Sequence, residues 1–292
     1  MTDRYRISSG LGATVKADGA ELCSLQDAAG RELLWGAGPQ WPNHSPVLFP
    51  IVGQVTGDRL LIDARSYPMG RHGFARRRRF EWLEQGADAC RLQLQDDAES
   101  RAVFPFAFRL ILSYRIEDGA LHVEYELANP GPGVLPASLG AHPAFHWPLA
   151  GGAQTDYRIE FAEAEDAPIR RLDDGLLRPA AQPSPVQGRT LALDPALFLD
   201  DAIIMLEPRS RSLRYIGPGG GIEFAWHGFP QLGMWQKPGA ELLCIEPWHG
   251  YASPAGWDGE FRDKPGLMLI PPGEARTMGW SVRPLAAWEP VR

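Results

Sequence analysis

The sequence predicts an all-β protein built as a large antiparallel β-sandwich with few short helices. Three observations support this fold class: apolar and polar residues alternate in several short segments, turn-forming residues separate those segments, and helical periodicity is nearly absent. The 292 residues include 32 glycines and 27 prolines spread along the chain, which suits many short strands joined by turns. Because no stretch between residues 30 and 280 resembles a linker, we expect residues 1–292 to form a single domain.

The clearest strand lies at residues 121–127, where four apolar residues alternate with polar ones. A period of two is typical of a strand with one buried face. Asn-Pro-Gly-Pro-Gly at 129–133 follows directly and predicts a turn. Similar runs, rich in β-branched and aromatic residues, predict further strands at 108–116, 157–161, 213–216, 221–226 and 266–270.

The best helical segment is short and covers residues 194–199. Asp194 is suited to cap the N-terminus of this helix, and Pro195 is suited to its first turn. The strands carry many tryptophan and phenylalanine residues on their faces. A concave sheet lined by such rings is a surface on which a sugar ring can stack.

Composition and charge narrow the classes of function. Apolar residues make up 44% of the chain and charged residues 22%, which is ordinary for a globular protein with a sizeable core and excludes disorder. The formal net charge of −7 argues against nucleic acid and anionic membranes as partners, because both attract positive surfaces. We therefore expect a small neutral or polar partner, and either a monomer or a homodimer.

The three cysteines, Cys23, Cys90 and Cys244, are far apart in the sequence and include no C-x-x-C pair. They predict neither a disulfide framework nor a thiolate zinc site, and reduced thiols are typical of the cytoplasm. The first thirty residues contain several charges and no apolar run, and no later segment approaches about 18 uncharged apolar residues. We expect a cytoplasmic protein without a secretory signal or a membrane span.

Two of the seven histidines, His142 and His146, stand four positions apart in Gly-Ala-His-Pro-Ala-Phe-His-Trp-Pro at 140–148. On a helix this spacing would place both imidazoles on one face, as in many metal sites. Pro143 and Pro148 disfavour a helix here, and in an extended strand His142 and His146 would lie about 13 Å apart. We therefore predict no metal and no cofactor, and either one functional histidine or two structural ones.

Glu246 ends the apolar run Leu-Leu-Cys-Ile at 242–245. A carboxylate at the end of a buried strand is costly unless it is paired, hydrogen-bonded or used in chemistry, so a catalytic role and a bond to backbone amides are equally open. His72 precedes a glycine after a turn, where a loop histidine without function is the simpler interpretation. The proline-bounded segment 45–54 is typical of apolar core.

Two further patterns favour structural interpretations. Four consecutive arginines at 76–79 suggest a nucleic-acid patch, but the negative net charge and the following Phe80 and Trp82 favour a solvated strand face. The glycine-rich segment 217–221 lacks the Lys-Ser/Thr and the following helix of a phosphate loop, so we predict a turn.

Taken together and in order, several segments resemble the aldose 1-epimerase (mutarotase) family, specifically its LacX-like branch. The matching segments are Gly19–Leu22, Glu32–Trp35, Trp41 with Pro46–Pro50, His72–Arg76, Gly140–Phe145, Asp201–Ile204, and Phe229–Trp235 continuing to Cys244–Gly250. The resemblance covers nearly the whole chain, and the order and spacing of the segments are more specific than any one of them.

The resemblance implies a large β-sandwich with a long concave sheet and a cofactor-free reaction that interconverts the α and β anomers of an aldose. One side chain removes the proton of the C1 hydroxyl while another protonates the ring oxygen; the ring opens, the C1–C2 bond rotates, and the ring closes again. By position, Glu246 resembles the general base and His142 the general acid. His72 resembles a second histidine that hydrogen-bonds the sugar, whereas His146 is expected to be structural or part of the pocket wall.

The resemblance also implies residues that bind the sugar substrate. Asp201 matches a carboxylate that holds sugar hydroxyls, although the adjacent Asp200 leaves the register open. Arg76, Trp235 and Phe145 lie in matching segments, and we expect them at the sugar.

One position departs from the family pattern. Where the family commonly has Gly-Arg after its Leu-Phe-Pro segment, this chain has Gly53-Gln54. Gln54 is still expected to bind a hydroxyl through its amide, but it offers no charge-assisted donor. Arg59 and Arg71 are alternative sources of the missing guanidinium, and the sequence does not decide between them.

Three other functions stay open at this point. A hexose-6-phosphate epimerase needs a basic cluster at the pocket rim, for which Arg71 and Arg76 are candidates. A non-catalytic carbohydrate-binding or sensing module would use the same aromatic surface without accelerating any reaction. A β-sandwich hydrolase or lyase needs a second catalytic group opposite Glu246, for which Asp201 is the candidate.

Overall fold

A computed structural model describes residues 3–285, and strands dominate this part of the chain, which confirms the predicted fold class. The strands are β1 Arg4–Ser8, β2 Gly12–Lys16, β3 Leu22–Gln26, β4 Val47–Leu48, β5 Arg59–Ile62, β6 Arg65–Pro68, β7 Glu81–Gln85, β8 Ala89–Gln95, β9 Arg109–Glu117, β10 Ala120–Ala128, β11 Leu135–Ala137, β12 Leu139–Ala141, β13 Ala144–His146, β14 Arg158–Phe161, β15 Leu172–Asp173, β16 Leu176–Leu177, β17 Thr190–Ala192, β18 Ile203–Met205, β19 Ser212–Gly217, β20 Gly220–His227, β21 Gln231–Trp235, β22 Leu242–His249, β23 Met268–Ile270 and β24 Ala275–Leu285. All strands predicted from periodicity are present.

Helical structure is sparse among residues 3–285, where the only α-helix is α1, Ala98–Val103. Short 3₁₀ turns occur at Thr56–Asp58, Ala75–Arg77, Gln154–Asp156, Pro195–Phe198 and Phe261–Asp263. The turn at 195–198 occupies the predicted helical segment, and the Asp194 carboxylate accepts a hydrogen bond from the Ala196 N–H at 2.8 Å, as a capping residue should. None of the helices in the described residues is long and apolar enough to cross a membrane.

Two large antiparallel sheets form the sandwich. The first has nine strands in the order β17-β14-β19-β20-β24-β10-β9-β8-β7. The second follows the order β18-β21-β22-β12-β4, and β13 also pairs with β22. Buried and less buried residues alternate along β10, as the period of two predicts. Phe145 on β13 packs edge-to-face against Phe224 on β20 with ring centroids 6.0 Å apart, so the core lies between the two sheets.

Strand β22, in the second sheet, has two different faces. Leu243 and Ile245 point into the core between the sheets. Because side chains alternate along a strand, Cys244, Glu246 and Trp248 share the opposite face. This outer face of the second sheet carries the candidate site.

Candidate active site

A cavity of about 190 Å³ lies on the outer face of the second sheet. Its walls come from segments that are distant in the sequence. The lining residues are Trp41, Val52, Gly53, Arg71, His72, Arg76, His142, Leu172, Gly175, Asp201, Ala202, Ile204, Trp235, Glu246, Trp248 and Ala252. Since a cavity of roughly 150 Å³ accommodates a benzene molecule, this volume is on the scale of one six-membered ring.

Glu246 and His142 face each other in this cavity. Nε2 of His142 lies 3.3 Å from Oε2 of Glu246, and the two residues are 7% and 2% exposed. The sheet explains the pairing, because Gly140 is opposite Trp248 and Ala144 is opposite Cys244 on β22. The same register places residue 142 opposite residue 246, although Pro143 interrupts the ladder there. The histidine and the glutamate are therefore cross-strand neighbours.

Burial favours the neutral forms of both side chains. It raises the pKa of the Glu246 carboxyl well above its ordinary value, and the Asp201 carboxylate acts in the same direction. Burial also lowers the pKa of the His142 imidazole well below its ordinary value, with the Arg76 guanidinium adding to this shift. Both shifts favour the same state of the pair, with one exchangeable proton on the carboxyl and no net charge.

His72 is oriented by the backbone. Its Nδ1 accepts a hydrogen bond from the Gly53 N–H at 3.1 Å, so the neutral ring carries its proton on Nε2. The pKa of His72 lies well below its ordinary value because of burial and the nearby His142, Arg76 and Arg71 side chains. The His72 and His142 rings meet edge-to-face with centroids 5.7 Å apart. His72 is therefore a neutral hydrogen-bond donor at the cavity wall.

Aromatic rings hold the His142 imidazole in place. Trp41 stacks on the imidazole with ring centroids 5.1 Å apart and an interplanar angle of 29°. Trp235 packs edge-to-face against the same imidazole, with ring centroids 6.0 Å apart. The indole N–H of Trp35 donates to the Trp41 carbonyl at 2.8 Å, which fixes the loop that carries Trp41. Nδ1 of His142 is buried without a hydrogen-bond partner among residues 3–285, so packing sets the orientation of the ring.

Trp248 forms part of the cavity wall and depends on two glycines of neighbouring strands. A Cβ atom at Gly233 on β21 would lie 2.3 Å from the Trp248 ring, and one at Gly140 on β12 would lie 2.7 Å from it. Any side chain at either position would displace the indole. Sequence reasoning did not identify Trp41 or Trp248 as site residues, although both lie in segments that carry the family resemblance.

The structure resolves the choice between Asp200 and Asp201. Asp200 points away and pairs with both terminal nitrogens of Arg178, at 2.6 and 2.9 Å. Asp201 lines the cavity, with a positive φ of 63° and its Oδ1 accepting a hydrogen bond from the Ala202 N–H at 2.7 Å. Asp201 is the carboxylate available to a ligand.

Gln54 acts on the cavity through Arg71. It does not line the cavity, but its Oε1 accepts a hydrogen bond from Nη2 of Arg71 at 3.0 Å, and Arg71 does line it. Of the two arginines left open by the sequence, Arg59 is absent from the lining. A Cβ atom at Gly175 would lie 2.2 Å from the Arg71 guanidinium, so the β15–β16 turn closes tightly over this pair. Arg76 brings a second guanidinium to the cavity and donates to the Arg71 carbonyl at 3.1 Å.

Phe145 does not reach the cavity, so its expected contact with a sugar is wrong. The side chain is fully buried in the core between the sheets. Because side chains alternate along β13, Ala144 and His146 take the other face and Phe145 faces inward. His146 is also absent from the cavity lining. Its ring packs edge-to-face against Trp35 with ring centroids 6.2 Å apart, which supports a structural role.

We expect Phe145→Ala to lower the free energy of unfolding by about 3–5 kcal/mol, because it leaves a cavity in the core. Urea denaturation measures this loss. Leu83→Ala, at a side chain that is 42% exposed, is the control and should change stability by less than about 0.5 kcal/mol. A folded Phe145→Ala protein that has lost only its affinity for sugars would contradict the core assignment.

One group of side chains in the site has the composition of a metal site. Potential ligand atoms of His142, Cys244 and Glu246 all lie within 4.8 Å of one another, and all three residues are buried. Cys244 and Glu246 share one face of β22, and the pairing of β22 with β12 and β13 brings His142 to them. Sequence reasoning did not place Cys244 in the site.

Known proteins resemble this chain over nearly its full length. The aldose 1-epimerase family model matches residues 3–255. Protein LacX of Lactococcus lactis subsp. lactis, in its plasmid and chromosomal forms, is 30% identical over 271 residues, which cover 88% of this chain and 91% of that protein.

Solved structures also resemble this chain over nearly its full length. A galactose mutarotase related enzyme from Lactobacillus acidophilus has a TM-score of 0.89 at 28% identity, with 99% of each chain covered. A galactose mutarotase-like protein from Lactobacillus casei ATCC 334 also has a TM-score of 0.89, at 27% identity, with 96% of this chain and 99% of that chain covered. The family model and the LacX relatives span most of the sequence, and the chain therefore belongs to the aldose 1-epimerase family.

Proposed function

We propose that the protein is a cofactor-independent aldose 1-epimerase that interconverts the α and β anomers of an aldohexose. Family membership supports a sugar epimerase function, and the finer proposal depends on one observation. Nε2 of His142 and Oε2 of Glu246 lie 3.3 Å apart in a ring-sized cavity. Reversible opening of a sugar ring needs one acid and one base that can exchange roles, and this pair supplies both.

The proton held by the pair is sufficient for the reaction. Transfer from the Glu246 carboxyl to the His142 imidazole gives a carboxylate and an imidazolium without changing the net charge. Sugar hydroxyls at the two side chains replace water and stabilise these ions. Glu246 then removes the proton of the C1 hydroxyl while His142 protonates the ring oxygen. After rotation about C1–C2, the reverse transfers close the ring as the other anomer.

Other cavity residues position the sugar in this proposal. The Nε2–H of His72 donates to the ring oxygen or the C1 hydroxyl. Asp201 accepts hydrogen bonds from hydroxyls, and Arg71 donates to them. Trp235 and Trp248 present apolar faces against which the C–H face of the sugar packs.

Polarimetry of freshly dissolved α-glucose and α-galactose tests the proposal. The protein should accelerate the approach to anomeric equilibrium for at least one of the two sugars. Sugar binding by calorimetry without any acceleration would instead favour a carbohydrate-binding or sensing module. Product formation from a disaccharide would favour a hydrolase with Asp201 as the second carboxylate.

A hexose-6-phosphate epimerase is the second candidate, because Arg71 and Arg76 both line the cavity. Two guanidinium groups suit a phosphate, which accepts bidentate charge-assisted hydrogen bonds. Comparing glucose with glucose-6-phosphate by NMR decides between the two substrates. A much higher kcat/KM for the phosphorylated sugar would favour this candidate.

We expect Arg71→Met to raise KM by about tenfold or more, because a hydrogen bond from a charged group contributes about 1.5–3 kcal/mol. The value of kcat should change much less, since Arg71 is proposed to bind hydroxyls and not the reacting proton. Arg59→Met, at the arginine outside the cavity, is the matched control and should leave both constants unchanged. An unaltered KM in Arg71→Met would show that Arg71 does not bind the substrate.

A further inference from the structure

We infer that His142, Cys244 and Glu246 form a binding site for one thiophilic divalent cation such as Zn²⁺, and that the bound cation inhibits the enzyme. The binding part of this inference stands on the three side chains alone. The inhibition rests on the proposed function, because two of the ligands are the proposed acid and base.

The geometry fits a tetrahedral zinc ion. With Zn–N and Zn–O bonds of about 2.0–2.2 Å, the nitrogen and oxygen ligands of such an ion lie roughly 3.3–3.5 Å apart. Nε2 of His142 and Oε2 of Glu246 are 3.3 Å apart before any cation binds. One potential ligand atom from each of His142, Cys244 and Glu246 lies within 4.8 Å of the other two, and because a Zn–S bond is about 2.3 Å long, Sγ of Cys244 must move closer to complete the third bond.

One buried oxygen at this site has a close polar neighbour but no well-aligned hydrogen bond. Oε2 of Glu246 lies 3.3 Å from Nε2 of His142 and accepts no hydrogen bond of good geometry among the described residues, although an unsatisfied buried oxygen costs free energy. A cation between the three side chains would satisfy this oxygen. The cavity next to Glu246 and His142 gives an entry path and leaves the fourth position open to water or a sugar hydroxyl.

The donor set selects the class of cation. One imidazole, one thiolate and one carboxylate suit Zn²⁺ or Co²⁺, whereas Mg²⁺ and Ca²⁺ require mostly oxygen ligands. Binding releases any proton held by the thiol or the carboxyl to the solvent. It also ties up the nitrogen and the oxygen that would exchange protons with the sugar, so cation and sugar should compete.

Co²⁺ titration followed by absorbance tests the site independently of activity. One equivalent of Co²⁺ should produce a thiolate-to-metal charge-transfer band, and Zn²⁺ should remove it by displacement. Cys244→Ala should abolish the band and weaken Zn²⁺ binding, measured by calorimetry, by more than about 100-fold, since even outer-shell changes cost up to that factor. Cys90→Ala, at a buried thiol of the first sheet, is the matched control and should keep the band.

A second variant tests the same site in case Cys244→Ala fails to fold. Glu246→Gln keeps the thiol and the side-chain shape but removes the anionic ligand, so it should also weaken Zn²⁺ binding. A Co²⁺ complex without the charge-transfer band, or equal Zn²⁺ affinity in the wild type and Cys244→Ala, would overturn the inference. If the metal-free protein does not accelerate anomer interconversion, the proposed function fails, whereas the cobalt band still decides the metal site.

Discussion

Glu246→Gln should slow anomer interconversion by about 10²- to 10⁴-fold, the range that general acid–base catalysis supplies. The amide has nearly the same shape as the carboxyl but cannot accept the proton of the C1 hydroxyl. In the proposed reaction it also removes the exchangeable proton that Glu246 shares with His142 across 3.3 Å. Polarimetry at saturating sugar measures the loss, which should appear in kcat more than in KM because the base acts in the transition state.

The same variant should be more stable than the wild type at neutral pH. The folded-state pKa of Glu246 is raised above the ordinary value, so between these two pKa values the folded state holds a proton that the unfolded state has lost. The unfolding free energy of the wild type therefore falls as the pH rises through this window. Glutamine has no proton to lose, so urea denaturation across the window should show a smaller fall. Lower stability of Glu246→Gln at neutral pH would contradict the assignment of a neutral buried carboxyl.

Local patterns in the sequence predict most of the fold but not the meeting of the site residues. The alternation at 121–127 depends only on neighbouring residues, and it corresponds to β10 in the structure. The 142–246 register joins residues about a hundred positions apart, and nothing in either segment specifies it. The family resemblance brought both residues into one proposed mechanism, and the pairing of β12 and β13 with β22 supplies the geometric reason.

For Phe145, the alternation of side chains along a strand predicts a different position from the one implied by the family resemblance. Along a strand, residues two and four positions after His142, which are Ala144 and His146, lie on the same face as His142. Phe145 lies on the opposite face of the strand, and this predicts the position in the core that the structure shows. For Arg71 there was no such signal. Its approach to the cavity depends on a loop in which His72 has a φ of 63°, and on the hydrogen bond to Gln54.

His142→Gln should lower kcat by about 10²-fold or more, because the amide cannot protonate the ring oxygen. His146→Gln is the matched control, since His146 stands four residues later on β13 and outside the cavity. We expect that control to have the wild-type rate. Equal losses in the two variants would indicate a general effect on the β12–β13 segment and would refute the role of His142.

The dependence of the rate on pH distinguishes a lost acid from a displaced side chain. The wild-type pair is active with one proton, and burial widens the pH range of this state. The lowered pKa of His142 opposes uptake of a second proton, and the raised pKa of Glu246 opposes loss of the first. Above this range the proton leaves, the acid is lost and the rate falls. In His142→Gln only the base remains, so the residual rate should instead rise as Glu246 loses its proton. If His142 were only structural and another group were the acid, His142→Gln would still lose activity at high pH as the wild type does. A residual rate that rises with pH therefore assigns the acid to His142.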